Sequence, residues 1–331
     1  MKALCVTSWE KASGKTMLCI GIGQSLKNRG LKVGYLKPAG SASDSKQSLE
    51  DARFVKEALK LEESADVLCP AGTAADIKNA YEKVGKGKDI VLLEGYGGLE
   101  QGGETSKVAY ELAQTISAKV IVIMRYLSDT AWMRIGPATK KFGDNMLGIV
   151  INEVPAAKVQ SIRTEAKAAF DKEGLKLLGV LPEDRLLMGV SMADLAAHLG
   201  SQVLCCKEHM GKMAYNVMVG AFTVDPGVDY FSRKSNKVVI ARGDRTDMQI
   251  AALNTSTAGL ILTGGVAPAS KVIYLAEEKK VPVLTTGQET LPTLEALQEA
   301  IVQARFRQSA KCEKAANMVA KNLDMEALRG S

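Results

Sequence analysis

A short segment near the start of the chain carries residue types that bind phosphate. It reads Ser13-Gly14-Lys15-Thr16 and lies where an apolar run gives way to a helical pattern. Backbone N–H groups and the positive end of the helix dipole favour an anion at such a point. We therefore predict an ATP site in which Lys15 reaches the β- and γ-phosphates and the Thr16 hydroxyl ligates Mg²⁺. The predicted nucleotide-binding residues of this segment are Glu10, Ser13, Gly14, Lys15, Thr16 and Met17.

This segment departs from the usual phosphate-loop pattern at one position. The pattern has a glycine five residues before Gly14, and Trp9 stands there in this chain. Two other interpretations therefore stay open. In one, Lys15 is a solvated lysine at an ordinary helix N-terminus. In the other, the loop has decayed and the protein is a non-catalytic scaffold that binds no nucleotide.

Two carboxylates at the ends of predicted elements are candidate metal ligands. Glu94 follows the continuous apolar strand at 89–93, and Asp51 begins a helix. Mg²⁺ needs only one or two carboxylates beside phosphate oxygens, so both are predicted to bind it together with Thr16. For Asp51 the alternative is an acid favoured by the helix dipole.

Lys37 is the second lysine with a predicted role. It ends a strand directly before Pro38. Its ammonium could neutralise the charge on a phosphoryl group in transfer, so Lys37 and Lys15 are the predicted catalytic residues. The alternative for Lys37 is a surface lysine.

The elements that position these residues alternate between strand and helix. Apolar runs predict strands at 2–7, 31–36, 89–93, 119–124, 146–151 and 175–181. Helical patterns lie at 15–29, 49–61, 75–84, 105–118, 129–141 and 158–173. Repeated strand–helix–strand units imply a parallel sheet with helices on both faces. The predicted fold is α/β, a doubly wound and mostly parallel sheet.

A second, smaller α/β set follows the first. It comprises strands at 217–223, 237–241, 258–262 and 281–285 with helices at 245–253 and 269–279. No low-complexity linker marks the boundary, which we place at residue 208. The predicted domains are a P-loop domain at 1–207, a second domain at 208–310 and a helical C-terminal tail at 311–331.

Composition excludes several classes of protein. The net charge of +6 is spread along 331 residues without a dense basic block, which argues against nucleic acid as a partner. No apolar run reaches the roughly 18–20 residues of a membrane helix. Six cysteines lack the spacing of a zinc ribbon or redox pair, and two histidines are too few for a histidine-rich metal site. These features predict a cytoplasmic protein.

The N-terminal motifs resemble those of dethiobiotin synthetase and the related amidoligases of cobyrinic acid synthesis. The matching segments are Gly14-Lys15-Thr16, Tyr35-Leu36-Lys37-Pro38, Asp51-Ala52, Glu94-Gly95-Tyr96-Gly97-Gly98, Gly148-Ile149-Val150-Ile151-Asn152 and Gly179-Val180-Leu181-Pro182-Glu183-Asp184, within about 2–205. In that family ATP and Mg²⁺ activate a carboxylate or carbamate as a mixed phosphate anhydride. The resemblance implies the same roles for the lysines and metal ligands above. It adds Asn152 at the adenine and Pro182 to the nucleotide site. The substrate-binding segment after Leu68 does not match, so we expect no dethiobiotin synthesis.

The C-terminal part is similar to the DRTGG domain over about 212–310. The resemblance is carried by Gly243-Asp244-Arg245-Thr246-Asp247 and Leu262-Thr263-Gly264-Gly265. The two parts together resemble the N-terminal region of long bacterial phosphotransacetylases, which carry an acetyltransferase domain afterwards. Because this chain stops at Ser331, we expect no acetyltransferase activity and a free-standing version of that regulatory region.

A second ligand site is predicted at the start of a helix in the second domain. Asp244 and Thr246 lie there beside Arg245, whose planar fork suits a carboxylate or phosphate. The predicted ligand residues of this site are Asp244, Arg245, Thr246, Thr263, Gly264 and Gly265. The alternative is a capping aspartate and turn glycines that support the fold or a dimer contact.

Two functional hypotheses stay open in addition to the non-catalytic scaffold. The first is a regulatory protein that binds ATP and senses an unidentified small metabolite through its second domain. The second is an ATP-dependent ligase or kinase that acts on a small carboxylate. They differ in turnover, because an enzyme transfers or hydrolyses phosphate once its substrate is supplied. Since related P-loop proteins are commonly dimers, we expect a homodimer.

Overall fold

The computed structural model describes residues 2–39, 45–95, 97–101, 103–128, 130–221, 227–303, 306 and 309–330. The chain divides into two compact units. The first unit comprises Met1–Leu187 and Phe306–Ser331, and the second comprises Met188–Arg305.

The first unit is built on a six-stranded sheet in which the paired strands are parallel. Its strands are β1 (Lys2–Ser8), β2 (Val33–Leu36), β3 (Ile90–Glu94), β4 (Lys119–Arg125), β5 (Met146–Val154) and β6 (Leu177–Pro182), in the order β2-β3-β1-β4-β5-β6. Its α-helices up to residue 188 are α1 (Lys15–Asn28), α2 (Ser45–Leu59), α3 (Ala65–Leu68), α4 (Ala74–Val84), α5 (Gly103–Ile116), α6 (Gly136–Thr139), α7 (Val159–Lys172) and α8 (Arg185–Met188). This is the doubly wound fold that the sequence predicts. Its central strands are buried along nearly their whole length, as in a sheet covered on both faces.

One predicted helix of this unit is wrong. The described part of the segment predicted at 129–141, residues 130–141, does not form one helix. A 3₁₀ turn at Ala131–Arg134 is followed by α6 and by a second 3₁₀ segment, Lys140–Asn145. Pro137 lies in the first turn of α6, where it starts a helix and prevents the preceding turn from continuing into it. Gly143 has a φ of 53° and interrupts the second segment.

The second unit contains a five-stranded sheet and a two-stranded sheet. Its strands are β7 (Val190–Ser191), β8 (Gln202–Cys205), β9 (Met213–Ala214), β10 (Asn216–Gly220), β11 (Lys237–Arg242), β12 (Thr257–Thr263) and β13 (Val283–Thr285). Its helices are α9 (Met192–Leu199), α10 (Gly227–Ser232), α11 (Thr246–Leu253), α12 (Ser270–Glu278) and α13 (Thr290–Gln303). The larger sheet has the order β10-β11-β12-β13-β8, and only β8 pairs antiparallel to its neighbour. Residues 222 and 223 of the predicted strand 217–223 lie outside the described part of the chain.

The boundary between the units differs from the predicted one at 208. Residues 188–207 belong to the second unit, because β8 pairs with β13 of its larger sheet. The Cα partners of β8 lie far ahead in the sequence, with Cys205 opposite Val283. A pairing over such a separation leaves no local mark that would show to which unit β8 belongs.

The predicted C-terminal tail is part of the first unit. It forms α14 (Ser309–Asn322) and α15 (Met325–Gly330). The side chains of Ala315 and Val319 are fully buried in the core that also contains α1, and the Ser25 hydroxyl on α1 donates to the Ala316 carbonyl at 3.3 Å. At the end of α14, Leu323 forms an antiparallel bridge with Gly179 of β6. The C-terminal segment therefore covers the outer side of α1 and the edge of the sheet.

Among the residues described, no helix combines the length and apolar character needed to cross a membrane.

Candidate nucleotide site

The predicted phosphate loop connects β1 to α1. Gly14 precedes the helix with a φ of 98°, in the left-handed region, and a Cβ atom there would lie 2.7 Å from Asn152 Nδ2. Glycine is therefore required at this position by both conformation and space. The other left-handed residue of the loop is Ala12, with a φ of 59°, and not Trp9. The loop thus bends without a glycine at residue 9.

Glu10 holds the phosphate loop in place through hydrogen bonds. Its Oε1 atom accepts hydrogen bonds from Ser13 Oγ at 2.7 Å and from the backbone N–H of Arg125 at 2.6 Å. Ser13 Oγ also donates to the Glu10 carbonyl at 2.8 Å. These contacts tie the loop to the end of β4, so the structure gives Glu10 and Ser13 a supporting place in the loop.

Asn152 and Met17 also lie behind the loop. Asn152 is buried at the end of β5, and its Nδ2 donates to the Ser13 carbonyl at 2.9 Å. Met17 is buried in the core of the first unit. Pro182 ends β6 opposite Val154, on the same edge of the sheet. Of these predicted nucleotide-binding residues, Asn152 contacts the loop backbone and Met17 packs in the core.

Lys15 lies at the start of α1 with its ammonium directed toward the end of β1. Its Nζ donates to Ser8 Oγ and to the Gly97 carbonyl, each at 2.8 Å. Burial lowers the pKa of Lys15 to about 8, although the negative charge of Glu94 opposes this shift. Gly97 belongs to the glycine-rich segment after β3; Tyr96 of that segment lies outside the described residues.

The predicted metal ligands converge with Lys37 at the carboxyl ends of β2 and β3. Glu94 Oε1 accepts from the Thr16 hydroxyl at 2.7 Å and from Lys37 Nζ at 2.5 Å. Lys37 Nζ also donates to Asp51 Oδ2 at 2.8 Å. We call these four residues (Thr16, Lys37, Asp51 and Glu94) the carboxylate cluster. Four separate segments of the chain meet in it, as sequence motifs in this order led us to expect.

The charges of the carboxylate cluster are removed from solvent. Lys37, Asp51 and Glu94 are each less than a tenth exposed. Burial disfavours the charged ammonium of Lys37, but Glu94 and Asp51 outweigh it and hold the pKa of Lys37 above its usual range. Lys37 is therefore a buried, charged residue and not the surface lysine of the alternative interpretation.

One residue of this site was missed from the sequence. Tyr35 lies on β2 two positions before Lys37, and its hydroxyl donates to Glu94 Oε2 at 2.7 Å. Residues two apart on a strand share a face, so the spacing from Lys37 was a usable signal. An aromatic residue within an apolar strand is nevertheless interpreted first as part of the hydrophobic core.

The predicted site of the second unit lies at the carboxyl ends of β11 and β12. Arg242 pairs in register with Thr263, which brings the Asp244–Thr246 loop and the Thr263–Gly265 turn to one edge. Arg242 forms a two-bond ion pair with Asp244, and Arg245 forms one with Asp247. The lengths of these bonds lie between 2.8 and 3.1 Å.

The turn at this edge is held by its own backbone. Gly264 and Gly265 have φ values of 80° and 67°, and their N–H groups donate to the carbonyls of Gln288 and Thr286. The Thr263 hydroxyl lies 3.0 Å from that of Thr290. Thr246 begins α11, as predicted within one residue. The two N–H groups and the Thr263 hydroxyl thus have partners within the protein.

Comparison with known proteins agrees with this architecture. Residues 2–191 match the family model described as AAA domain. The chain belongs to this AAA domain family. Residues 194–300 match the DRTGG domain, so the predicted combination of a P-loop domain and a DRTGG domain is confirmed.

The AAA domain and the DRTGG domain together are homologous to the N-terminal region of phosphate acetyltransferases. The enzyme of Haemophilus influenzae is 23% identical over an alignment of 332 positions, gaps included, which covers 86% of this chain and 46% of that protein. The enzyme of Pseudomonas putida is 24% identical and is matched over 98% of this chain and 51% of its own length. This chain thus spans about half the length of the curated relatives it matches.

One solved structure similar to the chain contains a DRTGG domain. It comprises the CBS and DRTGG domains of the regulatory region of Clostridium perfringens pyrophosphatase, in complex with the activator diadenosine tetraphosphate. The identity is 18% and the TM-score 0.31, with 44% of this chain and 70% of that chain covered.

Proposed function

We propose that the first unit binds ATP with Mg²⁺ and that the protein is a nucleotide-dependent regulator. The observation that carries this proposal is the carboxylate cluster, which lies against the phosphate loop at the carboxyl edge of a parallel sheet. In open α/β sheets ligands bind at this edge. A P-loop domain of this kind implies nucleotide binding, which supports the same assignment.

The donor atoms of the cluster fit Mg²⁺. Thr16 Oγ1 and Glu94 Oε1 are 2.7 Å apart, and Asp51 is joined to them through Lys37. One hydroxyl and two carboxylates are hard oxygen donors, which Mg²⁺ prefers. Thr16, Asp51 and Glu94 would hold the ion, which when bound neutralises charge on the β- and γ-phosphate oxygens.

The residues of the loop would then hold the phosphates. The first turn of α1 presents backbone N–H groups, and Gly14 lets a phosphate approach the chain closely. Lys15 would exchange its contacts with Ser8 and Gly97 for phosphate oxygens, and the anion would stabilise the charged ammonium that burial disfavours. Glu10 and Asn152 would keep the loop in shape.

Lys37 supports a second candidate function. Its charged, buried ammonium contacts Glu94, and Glu94 in turn contacts Thr16 at the phosphate loop. A lysine in this place can stabilise a phosphoryl group in transfer. The alternative is therefore an ATP-dependent ligase or kinase acting on a small carboxylate.

In the regulatory proposal, the second unit binds a small anionic metabolite at the Asp244–Thr246 loop. Two arginines reach this edge, each now paired with an aspartate two residues away. A carboxylate or phosphate could replace those aspartates on the guanidinium forks. The expectations of a homodimer and of a cytoplasmic location stay predictions.

Calorimetric titration of ATP tests the first-unit site. The wild type should bind ATP with Mg²⁺ and more weakly without it, and Lys15→Ala should abolish binding. Lys11→Ala is the matched control, because Lys11 is an exposed lysine of the same loop. Absence of ATP binding by the wild type would contradict the proposal. Release of phosphate at rates near one per second on addition of a small carboxylate would favour the ligase or kinase.

A further inference from the structure

Tyr35 is a hydrogen-bond partner of one oxygen of the Glu94 carboxylate. Its phenol donates to Glu94 Oε2 at 2.7 Å. Thr16 and Lys37 both donate to the other oxygen, Oε1. The carboxylate thus divides its contacts between an oxygen turned toward the core and an oxygen turned toward the phosphate loop.

The strand register explains how Tyr35 reaches this carboxylate. Tyr35 lies opposite Leu92 in the parallel pair of β2 and β3, and Glu94 follows on β3 two residues later. The Tyr35 side chain is fully buried, and Glu94 is 1% exposed. A buried phenol and a buried carboxylate both need partners, and each provides one for the other.

The hydrogen bond between Tyr35 and Glu94 has one direction, because the phenol O–H donates and a carboxylate oxygen accepts. A donor on Oε2 limits the rotation of the carboxylate. Oε1 then stays on the side of Thr16 and Lys37, which both donate to it.

From this geometry we infer that Tyr35 is a positioning residue for the metal, acting through Glu94. It holds Oε2, so that Oε1 stays directed toward Thr16, the residue that would hold Mg²⁺ together with Glu94. Partners of this kind typically change metal affinity about 10- to 100-fold when removed. This role rests on the proposed ATP and Mg²⁺ site and adds to it a residue that contacts neither ligand.

The test is the Mg²⁺ dependence of ATP binding in Tyr35→Phe. This variant keeps the ring and removes only the hydroxyl. The Mg²⁺ concentration that half-saturates ATP binding should rise about 10-fold or more, while ATP affinity without Mg²⁺ should be unchanged. Tyr81→Phe is the matched control, since Tyr81 is also buried in the core of the first unit.

A double variant separates positioning from a general loss of stability. If Tyr35 acts through Glu94, then Tyr35→Phe should have no further effect on Mg²⁺ dependence in a Glu94→Gln background. The same Mg²⁺ dependence in Tyr35→Phe and wild type would overturn the role of Tyr35 and leave the ATP site standing. If Glu94→Gln and the double variant Glu94→Gln/Tyr35→Phe lose Mg²⁺ dependence equally, the result supports the role of Tyr35. Absence of Mg²⁺-dependent binding by the wild type would overturn both.

Discussion

The carboxyl edges of the two parallel sheets carry similar charges in different surroundings. In the first unit Lys37 and Glu94 form an ion pair with exposed side-chain fractions of 9% and 1%. In the second unit Arg242 and Asp244 form one with exposed fractions of 54% and 48%. At the first edge Lys37 contacts Asp51 on α2 and Glu94 on β3. At the second edge the hydrogen-bonded pairs join residues that are two apart in sequence, between the end of β11 and the start of α11.

The two edges should therefore differ in how much their ion pairs contribute to stability. A buried charge that loses its partner destabilises the protein strongly, so the first edge depends on a complete cluster or on ions that replace its members. An exposed pair contributes little to stability and can be exchanged for a ligand at small cost. We expect the first edge to be sensitive to substitution and the second to be tolerant.

The largest expected effect is that of Lys37→Met on stability. The change leaves Asp51 and Glu94 buried without their ammonium partner, which should cost about 3–5 kcal/mol of unfolding free energy. Mg²⁺ should recover part of the loss in the absence of nucleotide, because a divalent cation can neutralise the two carboxylates. Denaturant unfolding with and without Mg²⁺ measures both effects. The control is Lys167→Met, which removes an exposed lysine paired with Asp171 in the same unit; equal losses in the two variants would refute the contrast.

An intermediate effect is expected from Lys15 as the pH changes. Its pKa is about 8 in the folded protein, against an ordinary value of 10.5, so between these values the unfolded chain binds more protons. Stability should therefore rise with pH through this window, by at most about 1.4 kcal/mol per pH unit from this group. Below about pH 8 the full cost of burying the charge is present.

Lys15→Met should flatten that rise. Urea unfolding at a series of pH values from about 7 to 10.5 measures the slope, and Lys11→Met serves as the control. A slope unchanged in Lys15→Met would mean that the Lys15 ammonium remains solvated, as in the helix N-terminus interpretation of this residue.

The smallest effect is expected at the second edge. Arg242→Gln removes an exposed pair and should lower stability only slightly, and added salt should reduce this loss further. Thermal or denaturant unfolding at two salt concentrations checks this. A loss as large as that of Lys37→Met would show that the two edges do not differ in the way that exposure predicts.

The sheet of the first unit and its loop could be predicted because their signals are local. Continuous apolar runs show strands such as Ile90–Glu94, and the change from such a run to a helical pattern locates Gly14 and Lys15. Because carboxyl ends of parallel strands share an edge, Glu94 and Lys37 could be assigned to one site in advance.

The partners within that site could not be predicted in the same way. The local sequence does not show that Lys37 bridges two carboxylates or that Asn152 supports the loop. For Tyr35 it gives the spacing from Lys37 but not the partner, Glu94. These contacts depend on side-chain directions after the sheet has formed. The unit boundary was missed for a related reason, since the pairing of β8 with β13 is set by tertiary structure.

α14 belongs to the first unit although it follows the second unit in the sequence. This affects the order in which the parts of the first unit are synthesised and can fold. The helix that bears the phosphate loop is covered by a segment that the ribosome makes after all of residues 188–305. Until then the apolar outer side of α1 stays without its natural cover and is a surface for aggregation or chaperones. A fragment limited to residues 2–191 would keep the loop sequence but lack this cover, so it would be a poor substitute for the whole chain in binding studies.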